Sequence, residues 1–364
     1  MKKIIFLNLR FLLFLFTGQC QTTANSRTSA VNSYQANKNL FDDDGILDIT
    51  VKGNIRKLLD DRQGKAINFP MTLTYKEGVS EKTIPIKIKT RGHFRRIKVN
   101  CTYPPLQIAF AGKVENSSSF FSEKSTLKLV MPCTAEKFLV NEWLVYKLYN
   151  LITLKSFRAR LVRVNLEDEN NKKMPLPFYG ILLENEKQMA KRNSMISVKK
   201  KIKPAQTMRE PFLRMAVFEY LIGNTDWSVE YMQNIKLIAS DSTAVPIAVP
   251  YDFDHSGIVN ASYAMPPAEL EMSSVRERRY RGYCIRDMKL FDSTVALYNG
   301  LRTKIYSLYR DCPLLDDKYK KKTLDYLDDF FSTINNPKRL EKEFGYPCLP
   351  GRTGNVIIKG LRED

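Results

Sequence analysis

The sequence predicts an α+β protein in which a β-rich N-terminal part precedes a mainly helical C-terminal part. From Ile46 onward, apolar residues alternate with polar ones, as in Leu47, Ile49 and Val51, and this period of two is typical of strands. After Lys187, apolar residues recur mostly at helical spacing. The chain has 364 residues, of which 43% are hydrophobic, so it can bury a core, and disordered and collagen-like classes are excluded.

The strands of the first part are expected to be antiparallel, because short alternating runs are separated by glycine-containing or charged turns. The predicted strands lie at 47–51, 71–75, 84–88, 106–110 and 127–130, with two more at 161–164 and 179–183. An amphipathic helix is predicted before the last two strands, beginning at Asn141. There Trp143, Leu144, Leu148 and Leu151 recur at helical spacing.

The second part contains helices interrupted by one hairpin. A buried helix is predicted to end at Gly223, because glycine favours the left-handed conformation that terminates helices. Two apolar runs, 235–238 and 245–249, predict the hairpin, and further helices are expected around 287–309 and 318–333.

The N-terminus has the pattern of a secretory signal peptide. Lys2, Lys3 and Arg10 bracket an apolar run that ends near Phe16, and small and polar residues follow up to Cys20. We therefore expect an exported protein of the periplasm, the cell envelope or the medium, with no membrane span once the signal is removed. Lipid attachment at Cys20 is the alternative.

The predicted organisation has four segments. Residues 1–20 are the signal peptide, and the polar residues 21–45 form a linker. The β-rich N-terminal part spans 46–185, and the helical part, with its catalytic and metal-binding loops, spans 186–364.

The chain is strongly basic. It has 58 Lys and Arg against 39 Asp and Glu, a net charge of +19, which favours partners that carry phosphate or other acidic groups. Nucleic acid is not expected as a partner, because no nucleic-acid-binding motif occurs and export separates the chain from it. The basic segment RERRYRGY, residues 276–283, is expected to be a solvated face despite its alternating arginine and tyrosine. With only His93 and His255, a histidine-rich zinc site is excluded.

The cysteines allow disulfides in an exported protein. Cys101 with Cys133, and Cys312 with Cys348, are plausible pairs, and buried free thiols are the alternative. No CxxC pair occurs, so zinc ribbons and thioredoxin-like motifs have no support.

Polar side chains cluster around the predicted hairpin. Asp226 lies in the turn after the buried helix, Asn234 directly precedes the first hairpin strand, and Asp252 and Asp254 follow the second. Hairpin pairing brings Asn234 and Asp252 to the same end of neighbouring strands, with Asp226 beside them. Such oxygen ligands suit Mg²⁺ on a nucleotide, and a separate carboxylate can accept a proton from an attacking hydroxyl. The alternative is that these side chains only satisfy backbone groups of the turns.

Basic side chains that could bind phosphate groups are also predicted. Lys128 stands among apolar residues of a strand, and Glu142 in the following helix is its expected partner, an arrangement that kinases use to hold phosphates. A surface lysine is the alternative. Arg91, Arg95 and Arg96 flank a glycine at a strand end, which either a phosphate grip or an ion-pair network explains.

Ordinary nucleotide-binding motifs do not occur. The sequence has no GxGxxG, no GxxxxGK[ST] and neither an HRD nor a DFG triplet. An ordinary protein kinase and a P-loop enzyme are therefore excluded.

The sequence resembles the CotH-like (spore coat protein H) atypical protein kinases. The resemblance covers roughly residues 47 to 300 and depends on Arg91-Gly92, FYGILLENE, GNTDW, Asn234 before a strand, and PYDFD. It implies a two-lobed atypical kinase fold, with a β-rich N-terminal lobe that contains a helix like the αC helix of kinases, and a helical C-terminal lobe.

The resemblance also implies roles for individual residues. Asp226 would be the catalytic aspartate, and Asn234 and Asp252 would bind the metal, with Asp254 as an accessory acid beside it. Three further residues would contact or position the nucleotide, namely Lys128, Glu142 and Arg91. Glu184, where the hinge between the lobes is expected, would either contact adenine or lock the hinge.

The implied function is transfer of the γ-phosphoryl group of ATP, with Mg²⁺, to a protein serine or threonine or to a small hydroxyl acceptor. The partners would be the nucleotide and a protein or glycan acceptor. ATP is scarce outside the cytoplasm, so the alternative is a non-catalytic exported scaffold of the same fold that binds anionic envelope polymers.

Overall fold

The computed structural model describes residues 39–110, 120–121, 126–170, 172–350 and 352. They all belong to one compact unit, Asn37–Asp364. The predicted signal peptide, Cys20 and the predicted linker up to residue 38 lie outside the described residues. Within the described residues, no helix is long and apolar enough to cross a membrane.

The first part of the chain forms a closed β-barrel. Its strands lie where the period-two pattern predicts strands. The strands are β1 (Leu47–Gly53), β2 (Phe69–Glu77), β3 (Ser80–Thr90), β4 (Leu106–Phe110), β5 (Thr126–Val130), β6 (Ala159–Asp168) and β7 (Phe178–Leu183). Their order around the barrel is β1-β2-β3-β4-β5-β7-β6. The first five strands pair antiparallel in sequence order, as expected. The barrel closes through a parallel pair that the sequence did not predict, in which Leu47 of β1 lies opposite Val162 of β6.

Alternation along each strand fills the barrel interior. In β1, Leu47, Ile49, Val51 and Gly53 are buried while the residues between them are more exposed. Leu40, inside the predicted linker, is also fully buried in this core. The packed part of the chain therefore begins before residue 46. A short helix, α1 (Ile55–Asp60), follows β1 and is capped by the Asn54 side chain.

Helix α2 (Glu136–Ile152) connects β5 to β6 and begins five residues before the predicted start at Asn141. It is buried on more than one face, because Leu144 and Leu148 are joined in the core by Leu139 and Val145, among others. Such a helix is expected where one element packs against both a sheet and other helices.

The second part is helical around a small antiparallel sheet. Its elements are α3 (Glu186–Arg192), β8 (Ile196–Val198), α4 (Arg209–Ile222), β9 (Ile235–Ala239), β10 (Ile247–Pro250), α5 (Asp292–Arg310), α6 (Asp317–Ile334) and α7 (Pro337–Phe344). The predicted hairpin is confirmed, since β9 pairs with β10, and β8 adds a third strand to it. The two predicted C-terminal helices are confirmed as α5 and α6, whereas α7 was not predicted.

One of the two proposed disulfides is confirmed and the other is wrong. Cys101 bonds Cys133, but Cys348 bonds Cys284, with their Cα atoms 4.6 Å apart. Cys312 is a buried free thiol near the C-terminal end of α5. Spacing along the chain could not reveal that the segment before Cys284 lies against the turn after α7.

Candidate active site

The turn that presents Asp226 is built by the end of α4. Gly223 has φ of 66° and closes the helix, a conformation that favours glycine. A side chain there would also meet the hydroxyl of Tyr326. The Asn224 side chain then accepts a hydrogen bond from the backbone N–H of Asp226 at 3.0 Å. The helix end and this turn fix Asp226 at the start of the loop that leads to β9.

A buried arginine supports the same turn from behind. Arg281 donates hydrogen bonds to the carbonyls of Thr225 and Trp227, the two neighbours of Asp226, the second at 2.8 Å. Arg281 is 2% exposed and Tyr280 is fully buried. The prediction that residues 276–283 form a solvated face is therefore wrong for this pair, because the segment folds back onto the Asp226 turn. This role of Arg281 was not predicted from the sequence.

The Asp226 carboxylate is held by two side-chain amides. Gln233 Nε2 donates a hydrogen bond to Asp226 Oδ1. Asn234 Nδ2 donates to Asp226 Oδ2 at 3.0 Å and to the Asp226 backbone carbonyl at 2.7 Å. Because the amide nitrogen of Asn234 is used in this way, its amide oxygen is the group that remains for a cation. Gln233 was not predicted, although it directly precedes Asn234 in the loop.

The hairpin brings Asn234 and Asp252 together as expected. Ile235 lies opposite Pro250 in the pairing of β9 with β10, and the Tyr251 N–H donates to the Asn234 carbonyl at 3.0 Å. Both Asn234 and Asp252 have left-handed backbone, with φ of 51° and 65°. Residues other than glycine adopt this conformation at a cost, and such strain concentrates at functional sites.

Asp252 is bonded on one side only. Its Oδ2 lies 3.2 Å from Lys128 Nζ, and its backbone N–H donates to the Tyr146 hydroxyl at 2.9 Å. Its Oδ1 is buried and has no hydrogen-bond partner among the described residues, and the same is true of Gln233 Oε1. Two buried oxygens that lack donors, on residues lining one cavity, fit the ligand preference of a hard cation.

The predicted pairing of Lys128 with Glu142 is wrong. Lys128 pairs with Asp252, whereas Glu142 lies 3.6 Å from the guanidinium of Arg95. Arg95 also lies 3.6 Å from Asp254, which accepts a hydrogen bond from Tyr263 at 3.0 Å. The buried Arg95 is thus the partner of Glu142, the role that was predicted for Lys128.

Arg91, Arg95 and Arg96 were predicted either to grip phosphate or to form an ion-pair network. Arg95 belongs to a buried ion-pair network, and Arg96 pairs with Asp61 at 3.3 Å. Arg91 lines the cavity beside Lys128 and Asp252.

Burial and charge set the ionisation of the acidic groups. Burial raises the pKa of Asp226 above its ordinary value of 3.8, with a counteracting effect from His255 and a further rise from Asp254. Burial also opposes ionisation of Asp252, but Lys128 and Arg95 outweigh it and lower the pKa of Asp252. Burial also raises the pKa of Glu142, and the attraction of Arg95 counteracts that rise. The site therefore holds one stabilised carboxylate, Asp252, beside a more basic one, Asp226.

Most of the predicted site residues line two adjoining cavities. The first, of 310 Å³, is lined by six of the eight predicted site residues, namely Arg91, Lys128, Asp226, Asn234, Asp252 and Asp254. The second, of 220 Å³, shares Arg91, Lys128 and Tyr251 with the first and includes Glu184. Glu142 lines neither cavity and lies behind Arg95.

Glu184 is occupied by a structural network. Its carboxylate accepts hydrogen bonds from the Arg158 N–H at 3.0 Å and from two nitrogens of Arg192 at 3.0 and 2.9 Å. This network joins the end of β7, the C-terminal end of α3 and the segment before β6. Both carboxylate oxygens of Glu184 therefore accept hydrogen bonds from protein groups.

No cluster of three or more His, Cys, Asp or Glu side chains suited to a metal occurs in the described part of the chain. A metal at this site would therefore depend on few protein ligands, as Mg²⁺ does when substrate phosphates complete its coordination.

Comparison with known proteins gives little similarity. No protein-family model and no curated protein matches the sequence. A solved structure, the crystal structure of the Helicobacter pylori proinflammatory kinase CtkA, aligns at 14% identity over 64% of this chain and 94% of that chain, with a TM-score of 0.40. A likeness at this level does not establish a shared fold or function.

Proposed function

We propose that the protein is a two-lobed atypical kinase, similar to the CotH-like enzymes, that transfers the γ-phosphoryl group of ATP to a hydroxyl acceptor with Mg²⁺. One observation carries the proposal, namely that carboxylate, amide and cationic side chains meet at one 310 Å³ cavity, among them Asp226, Asn234, Asp252, Arg91 and Lys128. These residues come from both the barrel and the helical part, which are the two lobes of the proposed enzyme.

The nucleotide is proposed to lie across the two adjoining cavities. The 220 Å³ cavity offers apolar walls from Leu127, Phe157 and Leu183, suitable for a base. It shares Arg91 and Lys128 with the 310 Å³ cavity, so the phosphates would pass these two cations on the way to Asp252. Cations beside the transferring phosphate stabilise the charge that develops in such reactions.

Asp252 and Asn234 would hold the metal, with Gln233 Oε1 close by. The unpartnered Oδ1 of Asp252 and the remaining amide oxygen of Asn234 are hard donors. When bound, Mg²⁺ would neutralise charge on the phosphate oxygens. Lys128 would release Asp252 and contact phosphate.

Asp226 would orient the acceptor and take its proton. The acceptor oxygen forms a bond to the γ-phosphorus while the bond from that phosphorus to the bridging oxygen breaks, and ADP leaves with the electron pair. The hydroxyl proton passes to the Asp226 carboxylate. The raised pKa of Asp226 favours this transfer, and its two amide contacts fix the carboxylate in place.

The test is phosphoryl transfer by the purified, disulfide-bonded protein. ADP formation is followed with Mg²⁺-ATP and a panel of hydroxyl acceptors, including proteins and glycans, for the unmodified protein and for Asp226→Asn. Asp48→Asn, an exposed aspartate on β1, is the matched control. Acceptor-dependent turnover that disappears only in Asp226→Asn supports the proposal. Nucleotide-independent binding of anionic polymers, with no turnover for any acceptor, would favour the non-catalytic scaffold.

A further inference from the structure

A further cavity, of 980 Å³, lies in the helical part and shares no lining residue with the two cavities proposed for the nucleotide. It is formed by the basic segment 276–283, by α6 and α7, and by the turn that follows α7. We call it the arginine–tyrosine groove and define it by Arg276, Arg279, Tyr319, Lys322, Lys342 and Tyr346.

Four basic side chains of the groove have no direct ion-pair partner among the described residues. Across the described chain, no carboxylate lies within 4.0 Å of the charged nitrogens of Arg276, Arg279, Lys322 or Lys342. Two other arginines of the cavity, Arg278 and Arg339, do have an ion-pair partner, since both lie 2.8 Å from the Asp329 carboxylate. The lack of an ion-pair partner is therefore specific to these four side chains and does not extend to every basic residue of the cavity.

The guanidinium groups are held in place by aromatic rings. Arg279 and Arg352 lie 4.3 and 5.3 Å from the centroid of Tyr346, so two like charges share one ring. Arg276 lies 4.3 Å from the Tyr326 ring and also donates to the Gly257 carbonyl at 3.2 Å. Stacking keeps these planar groups ordered, and a bound anion would relieve the repulsion between them.

Acidic side chains in the groove narrow the choice of ligand. Asp325 and Glu343 line the same cavity, and neither has an ion-pair partner within 4.0 Å among the residues described. They disfavour a polymer that carries anionic groups and few hydroxyls, whereas hydroxyl groups of a ligand can donate hydrogen bonds to them. A ligand that combines anionic groups with many hydroxyls satisfies both kinds of side chain.

We propose that the arginine–tyrosine groove binds a segment of anionic carbohydrate, with its carboxylate or sulfate groups on Arg276 and Arg279 and its hydroxyls on Asp325 and Glu343. The volume suits several sugar units, because it is near the upper end of the range for small-ligand sites. The Cys284–Cys348 disulfide borders the groove and is of the kind that persists in oxidising compartments, where such polymers occur.

The test is fluorescence anisotropy with labelled oligosaccharides and the purified, disulfide-bonded protein, without nucleotide. The ligands are an oligogalacturonate, a sulfated heparin octasaccharide and a neutral malto-oligosaccharide of the same length, so the arms distinguish carboxylate from sulfate. An oligothymidylate and a glutamate peptide of equal charge represent other classes of polymer. We expect binding of at least one anionic oligosaccharide, weakened by salt, and no binding of the neutral one.

Two groove variants and one control complete the design. Arg276→Gln/Arg279→Gln and the exposed pair Lys322→Gln/Lys342→Gln should each weaken binding about tenfold or more, because each loses charge-assisted contacts. Lys57→Gln/Lys87→Gln removes the same charge from exposed positions on α1 and β3 and should leave the affinity unchanged. Equal loss in the control, or tighter binding of the oligothymidylate or the peptide, would overturn the proposal. The lysine pair keeps the test decisive if the arginine pair reduces stability.

Discussion

The ammonium group of Lys128 lies 3.2 Å from the Asp252 carboxylate and thereby joins strand β5 of the barrel to the segment that follows β10. The two residues are 124 positions apart in the sequence. In the proposed enzyme the same two side chains separate, the lysine toward phosphate and the aspartate toward the metal. Their contact therefore links the stability of the protein to its nucleotide site.

Replacing Lys128 should affect both properties. Lys128→Met leaves the Asp252 carboxylate without its partner, so we expect a loss of about 1–3 kcal/mol in the free energy of unfolding, measured in urea. Lys128→Met/Asp252→Asn should recover most of that stability, because it removes the unpaired charge. Neither variant should bind Mg²⁺-ATP. A double variant that binds it as well as the unmodified protein would contradict the role of both residues.

Replacing Asp226 should abolish turnover without abolishing binding. Asp226→Asn keeps the size of the side chain but cannot accept the acceptor proton, so we expect the rate of ADP formation to fall about 10²- to 10⁴-fold. Nucleotide affinity, measured by calorimetry, should change little, because Asn234 and Asp252 remain in place. A melting temperature lowered to the point of unfolding would instead assign Asp226 a structural role.

The Arg95 network should be required for stability. Arg95→Met leaves the buried carboxyl groups of Glu142 and Asp254 without their shared cation, and breaking a buried pair from one side costs about 3–5 kcal/mol. Urea unfolding measures the loss. Arg95→Met/Glu142→Gln should be more stable than Arg95→Met alone. If the added substitution lowers stability further, charge compensation is not the reason for the effect.

Glu219 should give the protein a specific pH dependence. Burial raises the pKa of this residue from 4.5 to about 8, with a counteracting effect from Asn224. Between these two pH values the folded protein holds a proton that the unfolded chain has lost, so the free energy of unfolding should fall as the pH rises. Glu219→Gln should reduce that fall, measured in urea at pH 5 and pH 8. An identical fall in both proteins would show that Glu219 does not titrate in this range.

The Cys284–Cys348 disulfide should contribute to stability. Its two residues are 64 positions apart, so its removal in Cys284→Ala/Cys348→Ala should cost about 2–4 kcal/mol, because the unfolded chain gains freedom. Cys312→Ala tests a free thiol in the same part of the protein and should cost less. Thermal melts of both variants under non-reducing conditions measure the difference. Equal costs would contradict the pairing.

Local patterns in the sequence were sufficient for most of the elements. Alternation identified the barrel strands because each buries one face, and the hairpin placed Asn234 beside Asp252 because strand pairing fixes which ends meet. Helix α7 was missed because it is short and strongly charged, with Leu340 and Phe344 as its buried residues. The parallel closure of the barrel depends on strands that are far apart in the chain.

Long-range partners could not be predicted in the same way. Asp226 and Asn234 share one loop, so their proximity follows from the sequence, whereas the choice of Arg95 over Lys128 as partner of Glu142 depends on how the barrel is oriented. The Cys284–Cys348 pair and the position of Arg281 behind the Asp226 turn also depend on tertiary packing.

The most direct test of the central claim is a thermal-shift titration with ATP, with and without Mg²⁺, on the unmodified protein, Asp252→Asn and the control Asp48→Asn. At 100 times its dissociation constant a ligand stabilises the folded state by about 2.7 kcal/mol, which is a readable shift in melting temperature. We predict a Mg²⁺-dependent shift in the unmodified protein and in Asp48→Asn that is lost in Asp252→Asn. The absence of a shift with any nucleotide, or a shift that persists in Asp252→Asn, would contradict the proposed kinase site.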